Sequence, residues 1–181
     1  RTRQTAARLR LQDPLRPVEW YLNRSIRERD WGDIDSIPKS QFFEDPIYRL
    51  NAQKKMNDPL YWRPPGGESI QEVSDNRVRN FLETLHRECS DQLVIAVTHG
   101  EYMEATRLTL ERLNDEQFEE QKSAPSKKIP NCQVIQYTKS YEVAGFGTSP
   151  NAPRLQFTRT ITPSVEEGRC EVTPWVSINF H

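Results

Sequence analysis

Apolar and polar positions alternate with two different periods along this chain. Through residues 69–89, Ile70, Val73, Phe81, Leu82, Leu85 and Cys89 recur near one face at helical spacing. Ser69-Ile70-Gln71-Glu72 opens that run as a capping box, in which Ser69 takes the amide three residues on and Glu72 reaches back. Residues 93–98 (LVIAVT) are apolar on both alternating faces, which predicts a strand buried centrally in a parallel sheet. His99-Gly100 ends that strand, and residues 101–113 return to helical character.

Residues 1–11 (RTRQTAARLRL) are good helix formers, stopped by Asp13-Pro14. Residues 38–67 hold Pro38, Pro46, Pro59, Pro64, Pro65, Gly66 and Gly67, which predicts a loop-rich insertion with one short helix near 48–56. A connection of that length in a compact domain is commonly a lid or substrate loop. Residues 114–130 are Lys/Glu-rich and read as a surface connection, 133–138 and 154–161 read as strands, and the tail is irregular. Helices alternating with apolar strands predict an α/β fold. We expect a single-domain three-layer sandwich, with a mostly parallel sheet flanked by helices, the 38–67 insertion over the site and 141–181 as an irregular C-terminal extension.

Charge changes this picture little. The 25 basic and 26 acidic residues of the 181 give a formal net charge of −1, so bulk electrostatics supply no case for nucleic acid or an anionic membrane surface. Mean hydropathy is −0.83, and no apolar run approaches the roughly 18 residues of a membrane span. Cys89, Cys132 and Cys170 are odd in number and far apart, which argues against a disulfide framework or a zinc site and for the cytoplasm. No Asp/His cluster suggests a metal, and no cofactor is expected.

The junction Val97-Thr98-His99-Gly100-Glu101 carries the chemistry most plainly. Open α/β sheets place their sites at the carboxyl ends of strands. An imidazole followed by the free Gly100 amide at a helix start makes an anion site. Locally, His99 could equally end a strand and cap a helix and do nothing more.

Three further segments bear on that choice. Arg1-Thr2-Arg3-Gln4-Thr5-Ala6, Arg27-Glu28-Arg29-Asp30-Trp31-Gly32, Gly67-Glu68-Ser69 and the His99 junction follow one another in order. In order and spacing they resemble the R-x-x-x-T helix start, the E-x-x-aromatic-G segment, the G-E-S step and the second-histidine motif of the histidine phosphatase (phosphoglycerate-mutase-like) superfamily. The resemblance covers roughly residues 1–140.

The resemblance implies roles. Arg1 would grip phosphoryl oxygens with its planar fork. His99 would donate to the transferring phosphoryl group, assisted by the Gly100 amide. Glu28 would be the general acid for the leaving oxygen; without the resemblance it reads as a solvated carboxylate in a run of alternating charge. Glu68 reads as structural, or as a helix N-terminal charge. Arg49, Lys54, Lys55, Tyr61 and Arg63 lie in the insertion, where the family often places substrate contacts, and Arg63 is the one we single out for substrate.

One family feature has no counterpart. The superfamily's nucleophile is a histidine in an Arg-His-Gly motif on a first strand upstream of the Arg1 helix, and these residues contain no such motif. His86 and His181 are the remaining histidines and read as surface residues. The resemblance therefore implies a longer parent protein. It would hydrolyse a small phosphorylated substrate through a phosphohistidine, without a metal. Mutase-type phosphoryl transfer, a phosphate-binding pseudo-enzyme and a homodimer all stay open at this point.

Overall fold

In a computed structural model of the chain, the described residues are 2–12, 18–44, 46–124, 128–145, 154–164 and 169–178. The fold is α/β, and it divides into two compact units, Arg1–Thr109 and Leu110–His181.

The first unit is built from helices and tightly folded connections. Helix α1 (Thr2–Leu9) is the expected Ala/Arg/Leu-rich segment. The insertion carries α2 (Lys39–Glu44) and α3 (Pro46–Asn57), the second matching the expected short helix. The long helix is interrupted. It begins as α4 (Ile70–Glu72), widens into a π-helical turn over Val73–Val78 and continues as α5 (Arg79–Glu88). Its capping box forms as the sequence predicts, with Glu72 N–H donating to Ser69 Oγ at 3.0 Å and Ser69 N–H to Glu72 Oε2 at 2.8 Å. Ile70, Val73 and Val78 are buried, each contributing about 1.5–3 kcal/mol by leaving water. Helix α6 (Gly100–Leu110) buries Tyr102, Ala105 and Leu108. Thr109 at its far end meets the Ser74 hydroxyl of the wide turn at 2.7 Å.

Two stretches distant in sequence lie side by side here. Asp33 N–H donates to Pro65 O at 3.0 Å and Glu68 N–H to Asp30 O at 2.9 Å. A Cβ at Gly67 would stand 2.5 Å from Asp30 O and 2.6 Å from Pro64 Cγ, and Gly32 sits at φ +53° against Pro65 and Gly66. Glycine at both positions is what permits the approach. Trp31 and Trp62, one from each stretch, meet edge-on at 6.1 Å.

The second unit holds the sheet, and the expected mostly parallel arrangement is corrected: among the described residues every pairing is antiparallel. Strand β1 (Val134–Thr138) pairs with β2 (Phe157–Pro163) in the register Val134↔Ile161 to Thr138↔Phe157. The other edge of β2 takes β3 (Cys170–Val172) and β4 (Val176–Ser177) in succession. Thr173 stitches the gap between them, donating to Thr160 O at 3.0 Å and accepting from Thr160 N–H at 2.8 Å. Along β2, Phe157 is buried, residues 158–162 are half-buried and Pro163 is exposed. Phe157 is buried and packs edge-on against Tyr141 of α8 (Tyr141–Ala144) at 5.0 Å. Among the described residues β1 and β2 thus fall where strands were expected, at 133–138 and 154–161, and the tail beyond them, expected to be irregular, supplies β3 and β4. The surface connection expected after α6 contains α7 (Asp115–Ser123), opened by a second capping box, Asn114 with Gln117.

The parallel-sheet expectation rested on residues 93–98, which form no strand. Leu93 is 91% exposed, Val94 39% and Ile95 45%. Among the described residues no strand lies alongside them, and an extended segment becomes a strand only with a partner for its amides and carbonyls. Among the described residues no helix is long and apolar enough to cross a membrane.

Candidate active site

Residues 26–31 and 98–101 face each other in the first unit, and the family-motif residues meet there. His99 directly precedes α6, whose ladder begins with Met103 N–H donating to His99 O at 2.9 Å. Its Nδ1 stands 3.8 Å from Glu28 Oε2, and both side chains are partly buried, at 23% and 34% exposure. The ring's Nε2 lies 3.3 Å from Thr2 Oγ1. That contact brings the first turn of α1 to the histidine. Arg1 itself lies outside the described residues.

The rest of the site is arranged by cations. Arg29 is 2% exposed, and it grips Glu101 with both arms of its fork, Nε to Oε2 at 2.8 Å and Nη2 to Oε1 at 3.3 Å. Its guanidinium lies 4.5 Å from the Trp31 ring centre and 5.4 Å from that of Trp62. Lys55, reaching in from α3, joins the same carboxylate at 3.2 Å and the same Trp31 ring at 4.1 Å. The insertion therefore touches the site through Lys55.

Arg77 leaves the π-helical turn and organises the loop that carries Glu28. It donates to the carbonyls of Ser25 and Glu28, both at 3.3 Å, and to that of Arg27. It also pairs with Glu68 at 2.8 Å. Glu68 in turn accepts from Asp30 N–H at 3.0 Å. Single wide turns of this type recur where a helix must aim a functional side chain. Beneath the loop, burial pushes the Tyr102 phenol up to about 12, with Arg77 pulling the other way.

The structure sorts the expected residues clearly. Glu28 and His99 come together. Gly100 heads an α6 whose start is open, since a Cβ there would meet nothing within 4 Å, leaving space at a helix N-terminus that suits an anion. Arg63 goes elsewhere: it donates to Gly67 O at 2.7 Å and Glu72 Oε1 at 3.0 Å, bracing the turn and the capping box. His86 is exposed, and His181 lies outside the described residues. Sequence reasoning missed Arg29, Arg77 and Glu101, while Glu68, read as structural, does brace the loop through Asp30 N–H and Arg77. A buried arginine inside Arg27-Glu28-Arg29-Asp30 has no local signal that separates it from its solvated neighbours. Among the described residues, no group of three or more His, Cys, Asp or Glu is placed to hold a metal ion.

Known proteins resemble this chain on both levels. A phosphoglycerate mutase dependent on 2,3-bisphosphoglycerate, from Cytophaga hutchinsonii, is 28% identical over 101 residues, spanning 52% of this chain and 44% of that protein. A broad-range acid phosphatase of Saccharomyces cerevisiae is 30% identical over 111 residues, 58% of this chain and 31% of that protein. The chain thus spans less than half the length of these curated relatives. In three dimensions it matches a mycobacterial glucosyl-3-phosphoglycerate phosphatase complexed with inorganic phosphate, with a TM-score of 0.54 and 18% identity over 95% of this chain and 70% of that one. That likeness speaks for the fold. The model of the histidine phosphatase superfamily (branch 1) matches residues 1–138, which include both partners of the Glu28–His99 pair, and the chain belongs to that superfamily.

Proposed function

We propose that the protein to which this chain belongs hydrolyses small phosphate monoesters through a phosphohistidine. The observation that carries the proposal is the Glu28 carboxylate 3.8 Å from the His99 ring. In this reading the carboxyl is the proton donor and the neighbouring imidazole holds a phosphoryl oxygen.

In this scheme the attacking histidine is one that these 181 residues do not supply, since they contain no Arg-His-Gly. Its ring nitrogen forms the bond to phosphorus as the ester P–O bond breaks, and Glu28 protonates the departing alkoxide. Water then attacks the phosphohistidine, Glu28 takes up its proton, and inorganic phosphate leaves. His99, Arg1 and the Gly100 amide bear the charge that builds on the phosphoryl oxygens. These groups do in this scheme what a divalent cation does in other phosphoryl transferases. Lys55 carries the insertion to the edge of the same pocket, where a lid would exclude water.

Rapid quenching of the full-length protein with a radiolabelled phosphate ester tests the scheme. A phosphoprotein that is acid-labile and stable to base, and that forms and decays within turnover, supports it. Turnover without any such species would overturn it. The mutase relatives and the cation brought in by α3 favour a second reading, retention and transfer of the phosphoryl group. Isomerisation of phosphoglycerate would establish that instead.

A further inference from the structure

We propose that Arg29 and Glu101 are positioning residues that set the separation of Glu28 and His99. This rests on the phosphatase proposal, deepens it, and goes beyond the family motif, from which neither role was drawn.

The two facing segments are stitched at two points with the Glu28–His99 pair between them. On one side Thr98 Oγ1 donates to Ile26 O at 2.6 Å. On the other, Arg29 and Glu101 form the forked pair, at 2.8 and 3.3 Å. Arg29 directly follows Glu28, and its N–H donates to Glu28 Oε1 at 3.0 Å. Any shift of Arg29 therefore carries the carboxylate with it. Glu101 stands in the first turn of α6, one residue beyond Gly100, so the same shift acts on His99 from the other side.

The pair is also held in plane. The Arg29 side chain is fully buried. Its Nη1 donates to Glu68 O at 3.3 Å, and Trp31 and Trp62 lie against it at 4.5 and 5.4 Å. Burying an ion pair is a poor way to gain stability, because desolvation offsets most of the attraction. Its directional, two-point geometry is a good way to fix a distance. A general acid depends on distance: displaced by an ångström, it fails to reach the leaving oxygen.

The experiment uses Arg29→Lys and Glu101→Gln in the full-length protein. Lysine keeps the charge and loses the fork; glutamine keeps the shape and loses the charge. Turnover of an alkyl phosphate (glycerol phosphate) is compared with that of an activated aryl ester (p-nitrophenyl phosphate), whose leaving group needs little help from an acid. We expect kcat/KM, which reports phosphoryl transfer to the enzyme before the step shared by both esters, to fall about tenfold more for the alkyl ester than for the aryl ester, a fraction of what a positioned acid supplies. Equal losses on both esters, or none, would overturn the proposal, since a purely structural defect lowers both alike.

A second readout needs no turnover. In carbon-13 histidine spectra of Arg29→Lys, the His99 ring signals should move while those of the exposed His86 stay. Unmoved His99 signals would overturn the positioning role. Moved signals in a wild-type protein that hydrolyses neither ester would uphold the positioning role and reject the phosphatase proposal.

Discussion

His99 and Glu28 face each other across 3.8 Å, Nδ1 to Oε2, while the second ring nitrogen of His99 lies 3.3 Å from Thr2 Oγ1. One ring nitrogen thus faces the loop that follows the 3-10 turn Arg24–Ile26, beyond hydrogen-bond reach, and the other contacts α1. Bound phosphate would enter this arrangement by replacing the Thr2 contact and using the open start of α6.

Removing the acid should separate substrates by leaving group. Glu28→Gln keeps the shape and the contact to Arg29 N–H but has no proton of suitable acidity to give. Alkyl phosphates should lose about 10²–10⁴-fold in kcat/KM, which reports the step in which the leaving group departs, and p-nitrophenyl phosphate far less. Matching losses on both esters would remove Glu28 from the acid role.

Arg77 and Arg79 are two residues apart and should behave very differently in stability. Arg77 is 11% exposed and pairs with Glu68, besides satisfying three carbonyls. Replacing it with alanine removes the nearest cation from Glu68, which keeps Asp30 N–H, and takes a donor from the three carbonyls, a cost of about 1–3 kcal/mol. Arg79 is 64% exposed in its pair with Asp75, so its alanine variant should lose no more than about 0.5 kcal/mol. Urea denaturation midpoints check the contrast.

Tyr102 gives a pH signature. Burial raises its phenol from 10.0 to about 12 in the folded chain, so the fold favours the neutral form. The stability tied to that neutral phenol is fully present below pH 10 and is lost as pH rises from 10 towards 12, because the unfolded chain ionises first. Its hydroxyl is also buried without a hydrogen-bond partner among the described residues. Tyr102→Phe should hold its melting temperature below pH 10 and decline less steeply above it than the wild type. Parallel declines would show that the phenol is not the group responsible.

Two glycines test opposite surroundings. Gly67→Ala forces a Cβ to 2.5 Å from Asp30 O and should cost about 1–3 kcal/mol by overpacking. Gly100→Ala meets nothing within 4 Å. It should leave the fold as stable or slightly more so, while weakening inhibition by inorganic phosphate, because the new methyl intrudes on the space at the α6 start. Unchanged phosphate inhibition would take Gly100 out of the anion site.

Local signals foretold local structure here, and little beyond. The Ser69–Glu72 capping box, the helix in the insertion and the position of His99 before α6 were all legible, because each depends on residues within one or two turns. The box at Asn114–Gln117 was equally legible and was overlooked under a Lys/Glu-rich composition that suggested a loop. The wide turn over Val73–Val78 has no local signature, and neither does the burial of Arg29, since both are decided by partners distant in sequence. Residues 93–98 failed for a related reason. An apolar run states a demand for burial, and only a neighbouring strand meets it. Sheet direction depends on how the chain returns, which no stretch of a single strand specifies.

The most direct test of the central claim is the rate of p-nitrophenyl phosphate hydrolysis by the full-length protein carrying His99→Ala. If His99 bears charge on the transferring phosphoryl group, kcat/KM should fall at least about 10²-fold with the fold intact by circular dichroism. A folded variant with near-wild-type turnover would contradict the account.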